Sequence, residues 1–496
     1  MSNANTIICP SQSGVRSNST SNVLRTAVAA ALLAAFAGVA QAQTAAPPKA
    51  EDQSLTWHGI TLYGIVDLGL QYENHGAPFG DYHPASSENI VNKNSRQSVT
   101  GFTSSNLSQS RIGLQGVESL GVGDWSAVFK VETFFNPSNG NISDALHDEV
   151  RNNGRGTSSQ STDIDSSVAG QAFQTAYAGF SSKTLGTLTF GRQLTPLGDG
   201  VTKYDPNYGS QAFSLIGMSG TYAGGGDTQD KRFDNSLKYA VNLADVAHVG
   251  LFYKFNQSTG GANTAFQVNV GAEFAGASLD AYYSKVNDAI TVSSLSAAQV
   301  NGGVSVCPAV IPAGQSCSVG TTDTSLAGTV SDNTTFSLMG SYKIAALKFL
   351  AGYEHIKYAN PNTPLVAPFA DIGGYNVVVI NNAAFPEDKI LQVYWAGVRY
   401  TAMPGLDLVG AFYGYHQNTY GTTANNAKCG TTPAPGIPGT CSGHFEAFSF
   451  DAVYAFTKRF DGYAGAMYSA VYDGVASGYN FQRNDINPTI GVRFKF

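Results

Sequence analysis

The sequence predicts an all-β protein, a 16-stranded antiparallel transmembrane β-barrel whose outer face meets lipid. Three observations carry that expectation. Apolar and polar residues alternate with period two through most of the chain. The connections between alternating runs are short and long in turn. Charge is sparse, at 13% of residues, against about 25% in an ordinary soluble domain. Mean hydropathy is near neutral, at −0.09, so apolar residues are dispersed among polar ones.

The alternation is explicit in the first run, "TLYGIVDLGLQY". Leu62, Val66, Leu68 and Leu70 share one parity, and Thr61, Asp67 and Gln71 the other. In "SRIGLQGVE", Ile112 and Leu114 oppose Arg111 and Gln115. In "WSAVFKVETFF", Phe129 and Val131 oppose Lys130 and Glu132. "TAFQVNVGAEF" and "TFSLMGSYKI" repeat the pattern. Such runs are strands with one apolar face. Short connections fall at 120–124, 183–186, 242–245, 275–276, 345–346, 403–405 and 458–460. The connections between them are long and rich in Gly, Ser, Asn and Pro. A soluble sandwich does not easily accommodate so many alternating strands. A closed barrel in lipid turns its apolar faces outward, and its backbone groups pair without an edge. Strands of about ten residues, with short turns at one end and long loops at the other, are the mark of such a barrel. Aromatics near strand ends (Tyr72, Phe134, Phe135, Tyr283, Tyr358, Tyr415 and Tyr472) are candidates for its interfacial girdles. The final run, "INPTIGVRFKF", puts Ile490, Val492, Phe494 and Phe496 on the lipid parity. It is expected to pair with the first strand and close the wall.

Residues 1–42 read as a cleaved signal peptide. Arg16 and Arg25 precede the apolar stretch 26–40, which is too short to span a bilayer, and Ala40-Gln41-Ala42 supplies the cleavage site. Residues 43–54 form a flexible lead-in, and 55–496 the barrel. The chain's net charge is −7. The leader contributes only two arginines, so the remainder is more acidic still, which disfavours nucleic acid as a partner. Cys9 leaves with the leader. Four cysteines remain, and an exported protein meets an oxidising compartment. Four allow three pairings; the short separations favour Cys307–Cys317 and Cys429–Cys441, each stapling a loop. No Cys/His cluster points to a metal, and no cofactor motif is present.

The segments "TLYGIVDLGLQY", "SRIGLQGVESLG", "AYAGFSSKTLGTLTFGRQ", "FDNSLKYA" and "GVRFKF" occur in this order along the chain. They resemble the trimeric general porins of Gram-negative outer membranes, β-proteobacterial type. The resemblance implies a homotrimer in outer-membrane lipid and lipopolysaccharide, each subunit enclosing a water-filled pore for ions and small hydrophilic solutes. It implies that the third long loop, about 194–232 here, folds inward as a constriction. It also implies that a terminal aromatic, here Phe496, is read by the barrel assembly machinery. In the family, acidic groups on the constriction loop face basic residues on the wall. Parity and family position together select Arg111 and Lys238, with Lys130 selected by parity and Arg192 held at the strand's entry to the loop. On the loop the candidates are Asp199, Asp205, Asp227 and Asp230. Gln174 and Lys238 stand where relatives often carry Arg, and the loop holds an unusual "AGGG" at 223–226. These departures bear on conductance and ion preference. The net acidic chain and the basic wall point opposite ways, and fields beyond a Debye length of about 8 Å are screened. Weak selectivity is expected.

Three other functions are weighed against the channel. An outer-membrane hydrolase would need a clustered Ser/His/Asp set, whereas the eight His residues are scattered and "GMSG" (217–220) is not a nucleophile elbow. A substrate-specific channel could use Tyr204, Tyr208, Phe213 and Tyr222 as an aromatic ladder; packing of the loop against the wall is the favoured role for these rings. An adhesin or phage-receptor role for the long loops has no sequence signal of its own.

Overall fold

In lipid, each strand must hydrogen-bond to a strand on both sides, so the alternating runs can only close upon themselves. The computed structural model shows that closure. It describes residues 55–496 apart from 77, 84–89, 94, 96, 156–171, 218–230, 245, 257–263, 303–323 and 368. The expected signal peptide and lead-in, and Cys307 and Cys317, lie outside the described residues.

The wall is a closed 16-strand antiparallel barrel. Its first half is β1 (Ile60–Glu73), β2 in two pieces (Val99–Ser104 and Arg111–Ser119), β3 (Ser126–Phe134), β4 (Thr175–Ser182), β5 (Gly186–Leu194), β6 (Arg232–Leu243), β7 (Ala247–Lys254) and β8 (Ala265–Phe274). The second half is β9 (Ala277–Ser293), β10 (Ser325–Ile344), β11 (Leu347–Ala359), β12 (Lys389–Met403), β13 (Leu406–Gln417), β14 (Gly443–Ala455), β15 (Phe460–Tyr472) and β16 (Asn484–Lys495). The seven short turns fall where the sequence places them. Ala275 and Gly276, with φ of 50° and 84°, turn β8 into β9. Paired positive φ is the backbone that a two-residue hairpin requires.

Closure runs through β1 and β16, in register from Ile65↔Lys495 to Gln71↔Thr489. Phe496 extends the seam by exchanging two backbone bonds with Gly64, at 3.0 and 3.1 Å. Pro488, which lacks an N–H, lies just past the last β1 partner, where no wall bond is lost on that side.

The lipid parity is as expected. Leu62, Leu70, Ile112, Leu114, Phe266, Val270, Phe336, Leu338, Ile490, Val492 and Phe494 are all exposed. The opposite parity is polar and enclosed: Asp67, Gln71, Glu132, Thr335 and Thr489 are buried. The girdle assignment needs correction at three positions. Phe134 and Tyr415 are buried, and Tyr358 lines an internal cavity. Phe134 shares the parity of Lys130 and Glu132, so proximity to a strand end did not put it in lipid. Phe274, Phe180 and Phe450 are among the exposed aromatics that do lie outside.

The long loops partly fill the mouth. In the second, helix α1 (Ala145–Arg151) buries Ala145 and Leu146 against Ile290, Leu326 and Val377. Asp144 caps it by accepting from the His147 amide at 3.2 Å. In the sixth, a hairpin of Phe369–Ile372 and Tyr375–Asn381 pairs in parallel with the start of β10. In the seventh, Cys429 and Cys441 form the expected disulfide, with a Cα–Cα distance of 5.8 Å.

The outward parity makes depth-dependent costs testable. Leu338→Arg, in the middle of the β10 band, is expected to cost about 2–4 kcal/mol of folding free energy in bilayers. Ile344→Arg, next to the turn, is expected to cost only about 0–1 kcal/mol. Urea titration of refolding into vesicles measures both, and equal costs would overturn the assigned depth.

Candidate pore constriction

The third loop leaves β5 at Thr195, and its described part, residues 195–217, turns into the barrel. Its first turn is written locally. Thr195 caps helix α2 (Pro196–Tyr204) by accepting from the Gly198 amide at 3.0 Å, and Pro196 takes the first helical position. The helix buries Leu197, Val201 and Tyr204 against lumen-facing side chains of the far wall, including Tyr282, Met339, Ile356 and Trp395. Polar bonds fix the depth. The Trp395 indole donates to the Tyr204 carbonyl at 2.9 Å, and Arg399 donates to the Pro206 carbonyl at 2.7 Å. Lys348 donates to the Tyr208 hydroxyl at 3.3 Å, and the Arg399 guanidinium lies 4.5 Å from that ring's centre. Further along, Phe213, Leu215 and Ile216 are buried as well.

The loop also meets the opposite side of the barrel, and a break in β2 makes that possible. Residues 105–110 leave the wall and turn inward. Asp67, fully buried, accepts from the amides of Leu107 (2.8 Å) and Ser108 (2.9 Å) and from the Tyr463 hydroxyl (2.6 Å). The Asn106 carbonyl then receives the Gln211 and Ala212 amides at 2.8 and 3.0 Å. The loop is therefore tied to both β2 and the β11–β15 side.

Basic side chains gather on β2, β3, β5 and β6. Glu132 is buried at their centre. Around it stand Arg111 at 3.5 Å, Lys130 at 3.3 Å and Arg232 at 3.9 Å, and the Tyr63 hydroxyl donates to it at 2.9 Å. A carboxylate out of water needs such partners. Lys238 on β6 reaches across to Asp199 in the first turn of α2, at 2.5 Å, and donates to the Leu194 carbonyl at 2.8 Å. Arg192 binds Asp234 at 2.5 Å.

Of the residues chosen from sequence, Arg111 and Lys130 come together, and Lys238 faces Asp199 as a wall–loop pair. Arg192 meets Asp234 where β6 carries a bulge: Gly191 pairs with Ser236 but Gln193 with Phe233. Asp205 needs correction. It is wholly buried and holds the loop to the wall, accepting from Tyr413 (2.7 Å), the Asn207 amide (3.1 Å) and the Gly209 amide (2.7 Å). It does not face the pore. Asp227 and Asp230 lie outside the described residues. Sequence reasoning missed Arg232, which it left inside the loop although β6 begins there. It also set aside Lys348 and Arg399, which are cross-strand partners; only the barrel register brings them to the loop. The rings of Tyr204 and Phe213 are buried, as packing of the loop requires, while Tyr208 stays exposed.

A second ionic cluster anchors α2. Lys203 binds Glu273 at 2.5 Å and Asp280 at 3.2 Å, and Asp280 also takes the Tyr204 hydroxyl and His248.

Residues 29–474 match the sequence pattern of the Gram-negative porins. The chain belongs to that family. The porin is 29% identical, over 245 residues, to an outer membrane porin protein of Bordetella pertussis; the match covers 49% of this chain and spans about half of that relative, 51% of its length. An anion-selective porin from Comamonas acidovorans has a similar fold, with a TM-score of 0.55 and 16% identity over 88% of this chain and 99% of the other. So does the trimer form of OmpT from Vibrio cholerae, with a TM-score of 0.50 and 13% identity over 88% and 99%. Family and fold place the porin in the outer membrane.

Burial lifts the Asp205 carboxyl above its ordinary 3.8, and the Tyr413 and amide bonds only partly oppose this. A carboxyl with a raised folded value contributes its full stability below the ordinary value and loses it as pH rises through the raised one. Docking of the loop is therefore expected to be firmest in acid and to loosen as pH climbs from about 4. Asp407, Asp451 and Arg399 are ionisable neighbours on the same wall, so the test isolates Asp205. Current noise of the open channel is expected to grow from pH 4 to pH 7 and to lose that component in Asp205→Asn. The same pH dependence in the variant would remove Asp205 as its origin.

Proposed function

We propose that this porin is a water-filled channel for passive diffusion of ions and small hydrophilic solutes, with weak charge selectivity. The observation that carries the reading is a loop folded into the lumen, with a basic wall cluster beside it and Lys238 facing Asp199. The basic wall cluster beside the loop biases the field across the narrowed lumen, and local field and width decide what passes. In this reading Arg111, Lys130, Arg192, Arg232 and Lys238 supply the positive side. Glu132 and Asp234 on the wall and Asp199 on the loop offset part of it. Asp227 and Asp230 remain candidates for the loop's negative side. A weak preference for anions follows, in keeping with the anion-selective porin of similar fold.

The assembly proposed is a homotrimer, supported by the trimer form of the OmpT neighbour. Export through cleavage after Ala42, a surrounding of outer-membrane lipid and lipopolysaccharide, and delivery to the barrel assembly machinery through Phe496 complete the proposal. The protein is read as a channel and not as an enzyme, in keeping with its porin family.

The test is purified protein in a planar bilayer under a salt gradient. Ohmic steps in triplets with a small reversal potential on the anion side are expected. Arg111→Ala is expected to move the reversal potential toward cations, because it removes one charge within a Debye length, about 8 Å, of the gap. An unchanged potential would take Arg111 out of the constriction. Deleting Phe496 removes the two bonds to Gly64 and is expected to lower the amount of folded barrel reaching the outer membrane. Normal surface levels would count against a role for Phe496 in delivery.

A further inference from the structure

A cavity of about 580 Å³ opens at the long-loop end of the barrel, directly against the third loop: Tyr415 in its lining donates to the Leu215 carbonyl at 3.2 Å. That volume suits a small organic ligand. Its lining comes from the upper ends of β9 to β14 and from the first, sixth, seventh and eighth loops.

Its chemistry is uneven. Tyr358, Phe385 and Tyr420 form a row, with ring centres 5.9 and 5.8 Å apart. The Lys389 ammonium lies over two of these rings, 5.1 Å from Tyr358 and 5.5 Å from Tyr420. Across the cavity Lys93 lies 5.7 Å from the ring centre of Tyr479. Both lysines line the space, and among the described residues no Asp or Glu does. Asp388, next to Lys389 in the chain, is turned to Lys357 at 2.5 Å, and neither of those two lines the cavity.

The site is held in shape. Gln417 donates to the carbonyls of Gly439 (2.9 Å) and Cys441 (2.8 Å), tying the seventh loop to β13. The Cys429–Cys441 disulfide closes that loop on itself. The Asn360 amide donates to the Phe385 carbonyl at 2.9 Å, and the Phe385 amide to the Asn360 side-chain oxygen at 3.0 Å, which fixes the central ring. A preorganised aromatic row costs little to order on binding.

We propose that this vestibule is a binding site for a planar aromatic carboxylate. The flat apolar body stacks along the Tyr358–Phe385–Tyr420 row, and the carboxylate takes the Lys389 and Lys93 ammonium groups. Two separate lysines suit a small anion as point charges and lack the bidentate fork that arginine would offer. The site deepens the diffusion-channel reading by naming a solute class gathered at the mouth before it reaches the constriction. A solute that must also leave has to bind weakly, so a dissociation constant on the order of 1 mM is expected.

The test titrates the folded full-length protein in detergent with sodium benzoate, followed by calorimetry, with acetate and benzyl alcohol as comparisons. Saturable benzoate binding is expected, with acetate and benzyl alcohol weaker by about tenfold each, since each lacks one of the two contacts. Lys389→Gln is expected to weaken benzoate about fivefold and Lys93→Gln to weaken it in the same direction. Conductance of each variant in potassium chloride shows that the barrel is intact. Acetate binding as tightly as benzoate would overturn the aromatic half of the site. Unchanged benzoate affinity in a conducting Lys389→Gln channel would overturn the site altogether. Normal conductance without benzoate binding overturns the vestibule site and leaves the channel reading standing. Benzoate binding that Lys389→Gln weakens, in a protein that conducts no ions, supports the site and overturns the channel reading.

Discussion

The structure depends first on a backbone constraint. Hydrocarbon offers no partner to an N–H or C=O, so every strand in the wall must be flanked on both sides. The β1–β16 seam, carried to Phe496 by its bonds to Gly64, satisfies that demand for the two strands that would otherwise be edges. Once the wall closes, parity does the rest. Leucine, valine and phenylalanine at alternate positions face lipid, and the residues between them are forced into an interior too wide to be filled by the wall's own side chains.

That interior is where the energetic difficulty moves. Carboxylates and ammonium groups share a narrow space, and an isolated charge there is costly. The barrel answers with pairing. Glu132 has three cations around it, Asp234 has Arg192, and Asp280 has Lys203 and His248. The third loop uses the same logic together with apolar burial. Leu197, Val201 and Tyr204 pack on Trp395 and Tyr282, while Asp205 is sealed under Tyr413. A loop held by both kinds of contact, on two sides of the lumen, can narrow the channel as a fixed element. The break in β2 belongs to this design: residues 105–110 give up wall bonds, Asp67 takes them over, and Asn106 receives the loop.

The long loops repeat the pattern at the mouth. Helix α1, the hairpin laid parallel to the start of β10 and the disulfide-closed seventh loop fold over the opening. In the proposed reading, an aromatic and basic vestibule lies at the mouth against the third loop, giving the pore two stations of different chemistry in series.

The alternation of residues such as Leu338 and Ser337, and the turn chemistry of Ala275-Gly276, were enough to determine the barrel, its strand count, its lipid face and its seven short turns. These are local features, repeated along each strand, and lipid punishes any other arrangement of them. Lumen parity likewise exposed Arg111, Lys130 and Lys238 as wall charges. What only the tertiary structure decided depends on contacts between residues far apart in sequence. A one-residue bulge at β6 lies where Asp234 meets Arg192. The barrel register set Lys348 beside Arg399 beneath the loop. Burial under Tyr413 turned Asp205 from a candidate pore charge into an anchor. Parity reports which side of a wall a residue occupies, but it carries no information on depth along the pore or on which loop will lie against it. Those follow from shear, loop packing and the pairing of buried charges, which exist only once the barrel has closed.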